Sequence, residues 1–216
     1  MAVDFDALDL IKVGVSSAVF SSLINVGWSA WNKKQERKLD VLKEQKRINH
    51  VFLEVALQLE SFAHRCSVHI NEIETQVSYA KQFHDDSGFA SLTPVTFEFS
   101  PEPEWTELPI DFTAKIKVLP KQFADSNKWI LEAYEYWADT FDALDLDVER
   151  LAFYGKKACE EAVSIRRKIG AGDGQMGASI ANFEAVFRSR RKRLETDEDA
   201  GIIPELKELL ASEQPS

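Results

Sequence analysis

A helical repeat of apolar residues dominates the middle of the chain. Between residues 48 and 80 apolar side chains recur every three or four positions, which places them along one side of an α-helix. The row consists of Ile48, Phe52, Val55, Leu59, Phe62, Cys66, Ile70, Ile73, Val77 and Ala80. Neighbouring apolar residues such as Val51 and Leu57 widen it beyond the seam of a two-stranded coiled coil. The pattern therefore predicts a long helix that joins a bundle.

The same periodicity returns after residue 108. Pro109 suits the first position of a short helix that reaches Leu119, and Pro120 begins another. The apolar row of that second helix consists of Phe123, Asn127, Ile130, Tyr134, Trp137, Phe141 and Leu144. Further helices are predicted at about 147–169 and 176–195, with a short one at 204–210. The predicted fold class is all-α, an antiparallel bundle of long helices.

An irregular, proline-rich segment at about 86–108 interrupts the helices. Within it, Val95 to Phe99 alternates between apolar and polar residues as a strand does, but no partner strand is evident. We expect a loop that lies across the bundle and packs Phe97, Phe99 and Trp105 against it. Because long loops in compact domains are often functional, this segment is a candidate binding surface.

The first 32 residues carry a different signal. Residues 13–31 contain no charged side chain. The length of this run is close to the minimum for a transmembrane helix, although several serines make it less apolar. Gly14, Ala18 and Ser22 lie four residues apart on one side, a spacing typical of helices that associate within a membrane. The segment thus predicts a membrane anchor that self-associates, which would make the protein a homo-oligomer.

The charges that flank this segment predict its orientation. Aspartates precede it, whereas Lys33, Lys34, Arg37 and Lys38 follow it, so the positive-inside rule places residues 32–216 in the cytoplasm. Two alternatives remain open. The segment could instead be an amphipathic helix on a membrane surface, or a helix that packs on the protein's own bundle, in which case the protein is cytoplasmic.

The predicted organisation has three parts. Residues 1–32 form the anchor or amphipathic helix, residues 33–196 the bundle, and residues 197–216 a tail with a short helix. Apolar residues make up 44% of the chain, enough for a substantial core. The net charge of -10 argues against general binding to nucleic acid. The two cysteines, Cys66 and Cys159, favour a reducing compartment over a disulfide scaffold.

Two clusters of like charge are candidates for contacts within the protein or with other molecules. The basic cluster consists of Arg188, Arg190, Arg191, Lys192 and Arg193. It either neutralises an acidic face within the protein or caps its own helix end, or it contacts anionic lipid, RNA or an acidic partner. The acidic cluster Glu132, Glu135, Asp139 and Asp142 is expected to form a solvated face of the helix that carries Trp137.

No motif in the chain predicts catalytic chemistry. Residues 172–177 match the letters of GxGxxG, but a charged helix precedes them where a nucleotide site requires a strand. The histidines lack the Glu-x-x-His pattern of di-iron bundles. We therefore predict no catalytic residue, no cofactor and no metal, and favour a non-enzymatic protein over an enzyme with a site between helices.

The functional prediction follows from the layout. It is a membrane-anchored helical protein that acts through contacts with an unidentified protein partner on the cytoplasmic side. The alternative is a soluble helical adaptor or regulator that binds a protein partner.

Overall fold

A computed structural model describes residues 7–196 and 201–212 of the chain, with the backbone alone for residues 7–27 and Ala30. Within these ranges the α-helices are α1 (Ala7–Phe83), α2 (Ile110–Lys117), α3 (Leu119–Tyr136), α4 (Thr140–Ile169), α5 (Gly177–Thr196) and α6 (Pro204–Ser212). Short 3₁₀ helices cover Ser87–Ser91 and Trp105–Glu107. The described residues contain no strand, so the predicted all-α helical bundle is confirmed.

The chain divides into two compact units, Met1–Ile48 and Asn49–Ser216. We call the second unit the body. The described side chains from Trp31 to Arg47, in the first unit, are all exposed. No described helix is both long enough and apolar enough to cross a membrane. Residues Gly14, Ala18 and Ser22 belong to α1, but their side chains lie outside the described part, so the predicted association face stays a prediction.

The core of the body forms around the predicted apolar row of α1. Val55, Leu59, Phe62, Cys66 and Ile70 are completely buried. The ring of Phe62 packs edge-on against Phe123 of α3, with 5.1 Å between the ring centroids. The row is therefore confirmed as the face that α1 turns toward the other helices.

The prediction of one continuous helix from residue 120 to residue 144 is wrong. α3 ends at Tyr136, and α4 begins at Thr140 instead of near residue 147. The cause is a capping box: the Asp139 carboxylate accepts the Asp142 N–H at 2.9 Å, and the Asp142 carboxylate accepts the Asp139 N–H at 3.2 Å. Both carboxylates thus serve a helix start, and do not belong to an acidic face of α3.

The break also changes which residues of α3 face the core. Tyr134 and Trp137, predicted to point inward, are more than half exposed. The buried face of α3 consists of Leu119, Phe123, Ser126, Ile130 and Ala133. Asn127 lies beside this face and is half-buried.

The end of α4 and the bounds of α5 and α6 follow the prediction closely. α4 ends at Ile169 because Gly170 adopts a left-handed conformation with φ of 68°, and its N–H caps the carbonyls of Arg166 and Arg167. Gly155 lets α4 approach α5, since a Cβ at that position would lie 2.8 Å from Cε1 of Phe183. α6 contacts α4 and buries Leu206 and Leu210.

Candidate interaction surfaces

The part of α1 between Trp28 and Arg47, which we call the first-helix surface, exposes large apolar side chains. Trp28 is 67% exposed and Trp31 is 61% exposed. Leu39, Val41 and Leu42 follow on the same helix, and each is more than half exposed. Exposed apolar residues of this size on one helix make this stretch a candidate contact surface.

Basic side chains are interleaved with these apolar residues. Seven basic and three acidic residues lie between Lys33 and Arg47, so this stretch is positive within a chain whose net charge is -10. Two of the three acids pair along the helix, Glu44 with Arg47 at 2.9 Å and Asp40 with Lys43 at 4.0 Å. Each of these two pairs consumes one basic charge as well as one acidic charge.

The four basic residues predicted from the sequence stay available on this surface. Within the described chain none of them forms an ion pair. A shallow open groove of about 490 Å³ is lined by Lys34, Arg37, Lys38, Val41 and Leu42. Long basic side chains can cover an apolar surface with their methylene groups while their charges stay in water. The arrangement suits an anionic surface with an apolar interior.

A second surface lies on the body, where the segment between α1 and α2 crosses the bundle. Phe97 stacks on Phe62 with 3.8 Å between ring centroids, and Phe99 packs edge-on against Trp105 at 5.1 Å. The contact with Phe62 confirms the prediction for Phe97, whereas the contact between Phe99 and Trp105 lies within the segment itself. The Gln58 side chain holds the segment by donating to the Pro101 carbonyl at 2.9 Å and accepting the Ser100 N–H at 2.8 Å.

A groove of about 510 Å³ separates the start of this segment from α1. We call it the loop groove. It is lined by Thr93, Pro94, Val95 and Thr96 of the segment and by His64, Arg65, Val68, His69 and Glu72 of α1. His69 is buried, and its Nδ1 lies 2.8 Å from the Glu72 carboxylate. The remaining side chains from α1 are exposed.

A buried ionic cluster joins α4, α5 and the start of α6. Glu149 is completely buried and accepts the Ile203 N–H at 2.9 Å. Nε of Arg190 lies 2.8 Å from the other carboxylate oxygen, but the pair makes no directed hydrogen bond. Burial raises the pKa of Glu149 to about 7, and the charge of Arg190 opposes this shift without overcoming it.

Two arginines of the basic cluster predicted from the sequence belong to this buried ionic cluster. Arg190 and Arg193 lie 3.4 Å and 3.5 Å from the carboxylate of Asp145. The cluster borders a cavity of about 240 Å³ between α1, α4 and α5. Arg188, Arg191 and Lys192 are exposed. Sequence reasoning missed Glu149, although its position among Val148, Leu151 and Ala152 on the apolar face of α4 was a usable signal.

The two thiols lie inside the body. Cys66 and Cys159 are both free and buried. Burial raises the pKa of both thiols, that of Cys159 to about 12, so they are protonated and weakly nucleophilic at neutral pH.

The described residues hold no group of three or more His, Cys, Asp or Glu side chains placed to bind a metal ion. Comparisons of the chain with protein-family models, with curated proteins and with solved structures give no match.

Proposed function

We propose that this protein attaches to a membrane through the first part of α1 and presents its helical body to a protein partner. The observation that carries the proposal is the exposure of Trp28 and Trp31 directly before the unpaired Lys33, Lys34, Arg37 and Lys38.

The chemistry of that surface suits the cytoplasmic face of a bilayer. Tryptophan rings favour the boundary between headgroups and hydrocarbon. A basic side chain close to an anionic leaflet contributes about 1 kcal/mol of attraction. In this arrangement residues 13–31 lie in or on the membrane, the basic residues lie at its surface, and residues 32–216 are cytoplasmic.

Fractionation tests the attachment. The full chain and a variant carrying Trp28→Ala, Trp31→Ala and Lys33, Lys34, Arg37 and Lys38→Glu would be expressed and separated into membrane and soluble fractions. We expect the full chain in the membrane fraction and most of the variant in the soluble one. Tyr136→Ala is the matched control, because Tyr136 is an aromatic residue of the body that is 79% exposed.

An alkaline carbonate wash then distinguishes the two forms of attachment. Retention after the wash means that residues 13–31 span the bilayer, whereas release means that they lie on its surface. A full chain that is soluble without detergent would overturn the membrane proposal.

The second candidate function is a soluble adaptor that uses the first-helix surface to bind a partner helix. Leu39, Val41 and Leu42 favour it, because they are exposed beyond the segment predicted to enter the membrane. This candidate would be supported if the full chain is soluble and binds a protein partner that the Leu42→Glu variant no longer binds.

A further inference from the structure

The segment that crosses the body contains a stretch, residues 92–99, whose side chains alternate as in a strand but which is paired into no sheet. Residues 92–99 form no helix, turn or bend. Val95, Phe97 and Phe99 are half-buried, whereas Thr96 and Glu98 between them are exposed. This alternation is the pattern of a strand with one face packed on a core.

The backbone of this stretch forms few hydrogen bonds between two anchored ends. The Leu92 N–H bonds to the Phe89 carbonyl at 3.1 Å, and the Gln58 side chain holds Ser100 and Pro101. Between them, no backbone N–H or C=O of residues 93–99 bonds to another group in the described chain. An ordered stretch with free backbone groups is a template for an added strand. Because it is already ordered, it loses little conformational entropy on binding.

The loop groove beside this stretch carries one basic side chain without an ion-pair partner among the described residues, that of Arg65. Arg65 is exposed, as is His64 beside it. Glu72 is the one acidic residue of the lining, and it lies 2.8 Å from His69. Val68 adds an apolar patch that is 42% exposed. The groove thus places the unpaired guanidinium of Arg65 next to a small apolar surface.

We propose that the loop groove binds an extended acidic segment of a partner protein, which adds as a strand beside residues 93–99. The partner's backbone would pair with residues such as Val95 and Thr96, since Pro94 has no N–H to donate. Its carboxylates would face Arg65, and an apolar side chain would lie on Val68. This inference rests on the proposed function, because it names the chemistry of the partner that the body contacts.

The test uses the full chain and a fluorescein-labelled peptide in which valine alternates with glutamate and threonine. Fluorescence anisotropy should show saturable binding with a Kd tighter than about 100 µM. A peptide with lysine in place of glutamate should bind at least ten times more weakly. A third peptide, N-methylated at alternate residues, keeps the side chains but loses backbone donors, and it should not bind.

Protein variants locate the site. Arg65→Glu should weaken binding of the acidic peptide at least tenfold, while Arg188→Glu, an equivalent change at an exposed site on α5, should leave it unchanged. Circular dichroism would verify that both variants fold. Absence of binding by the acidic peptide, equal binding of the N-methylated peptide, or an unaltered affinity in Arg65→Glu would each overturn the inference.

Membrane fractionation of the same preparations separates this inference from the proposed function. A membrane-bound chain that does not bind the peptide would contradict the strand-addition proposal alone. A soluble chain that binds it would contradict membrane attachment alone.

Discussion

Glu149 accepts a hydrogen bond from the backbone N–H of Ile203 at 2.9 Å although its carboxylate is completely buried. The bond satisfies a backbone donor just before α6, and Tyr154 adds a second link by donating to Glu205 of α6 at 3.0 Å. Two side chains of α4 therefore hold the α6 segment by polar contacts, in addition to the burial of its leucines.

The stability of the body should fall as pH rises through the range in which Glu149 titrates. Its pKa is raised from 4.5 to about 7 in the folded protein, chiefly by burial. Between these values the folded state retains a proton that the unfolded state has lost, so increasing pH disfavours folding. The full effect, at most about 3 kcal/mol, is reached above the folded pKa.

Glu149→Gln isolates this contribution, because glutamine keeps an acceptor for Ile203 and does not ionise. Urea unfolding at several pH values should show that wild-type stability declines relative to the variant between about pH 4.5 and about pH 7. Glu132→Gln, an exposed substitution on α3, is the control. A constant difference between wild type and Glu149→Gln across this range would contradict the prediction.

Gln58→Leu should loosen the segment that crosses the body. The substitution keeps the side-chain volume similar but removes the bonds to Ser100 and Pro101, each of which contributes about 1 kcal/mol. Hydrogen exchange at the Ser100 amide should accelerate. The same measurement on Leu57→Ala, a neighbouring exposed position, should show no change; equal exchange in both variants would count against the role of Gln58.

Gly155→Ala should destabilise the contact between α4 and α5. The added methyl group would overlap the ring of Phe183, and overpacking of this kind costs about 1–3 kcal/mol. Gly177→Ala is a matched control, because no atom lies within 4 Å of the added Cβ at the start of α5. Thermal unfolding of the two variants should therefore differ, with a lower Tm for Gly155→Ala alone.

Asp139→Ala should destabilise the start of α4. The substitution removes the acceptor for the Asp142 N–H, and loss of such a cap costs about 0.5–2 kcal/mol. Glu132→Ala on the exposed face of α3 should have little effect. Equal losses in the two variants, measured by urea unfolding, would restore the interpretation that both residues belong to one solvated acidic face.

Long apolar rows were the predictable part of the fold. The row of α1 was correct because one heavily buried helix face requires an apolar residue at almost every third or fourth position. Gly170 marked the end of α4 because few other residues adopt its left-handed conformation.

The prediction failed where the apolar repeat of one helix continues without interruption into the next helix. Tyr134, Trp137 and Phe141 continue the spacing of α3, yet the chain leaves the helix at Trp137, because Asp139 and Asp142 together stabilise a new helix start. Aspartate is also common on solvated faces, so the capping box was hidden among other acidic residues. The loop groove was harder to predict, because its lining comes from two stretches of chain that are distant in sequence. Even the lining residues nearest to each other in sequence, Glu72 and Thr93, are 21 positions apart.

The attachment of α6 to α4 has a consequence for synthesis on the ribosome. Ile202, Ile203, Leu206 and Leu210 complete the core, but they are translated well after α4, with α5 in between. Every nascent chain that ends before them leaves Glu149 without its backbone donor and an apolar strip of α4 open to solvent. We expect chaperones to bind such incomplete chains. The chaperones should release the chain when the α6 segment emerges from the ribosomal exit tunnel.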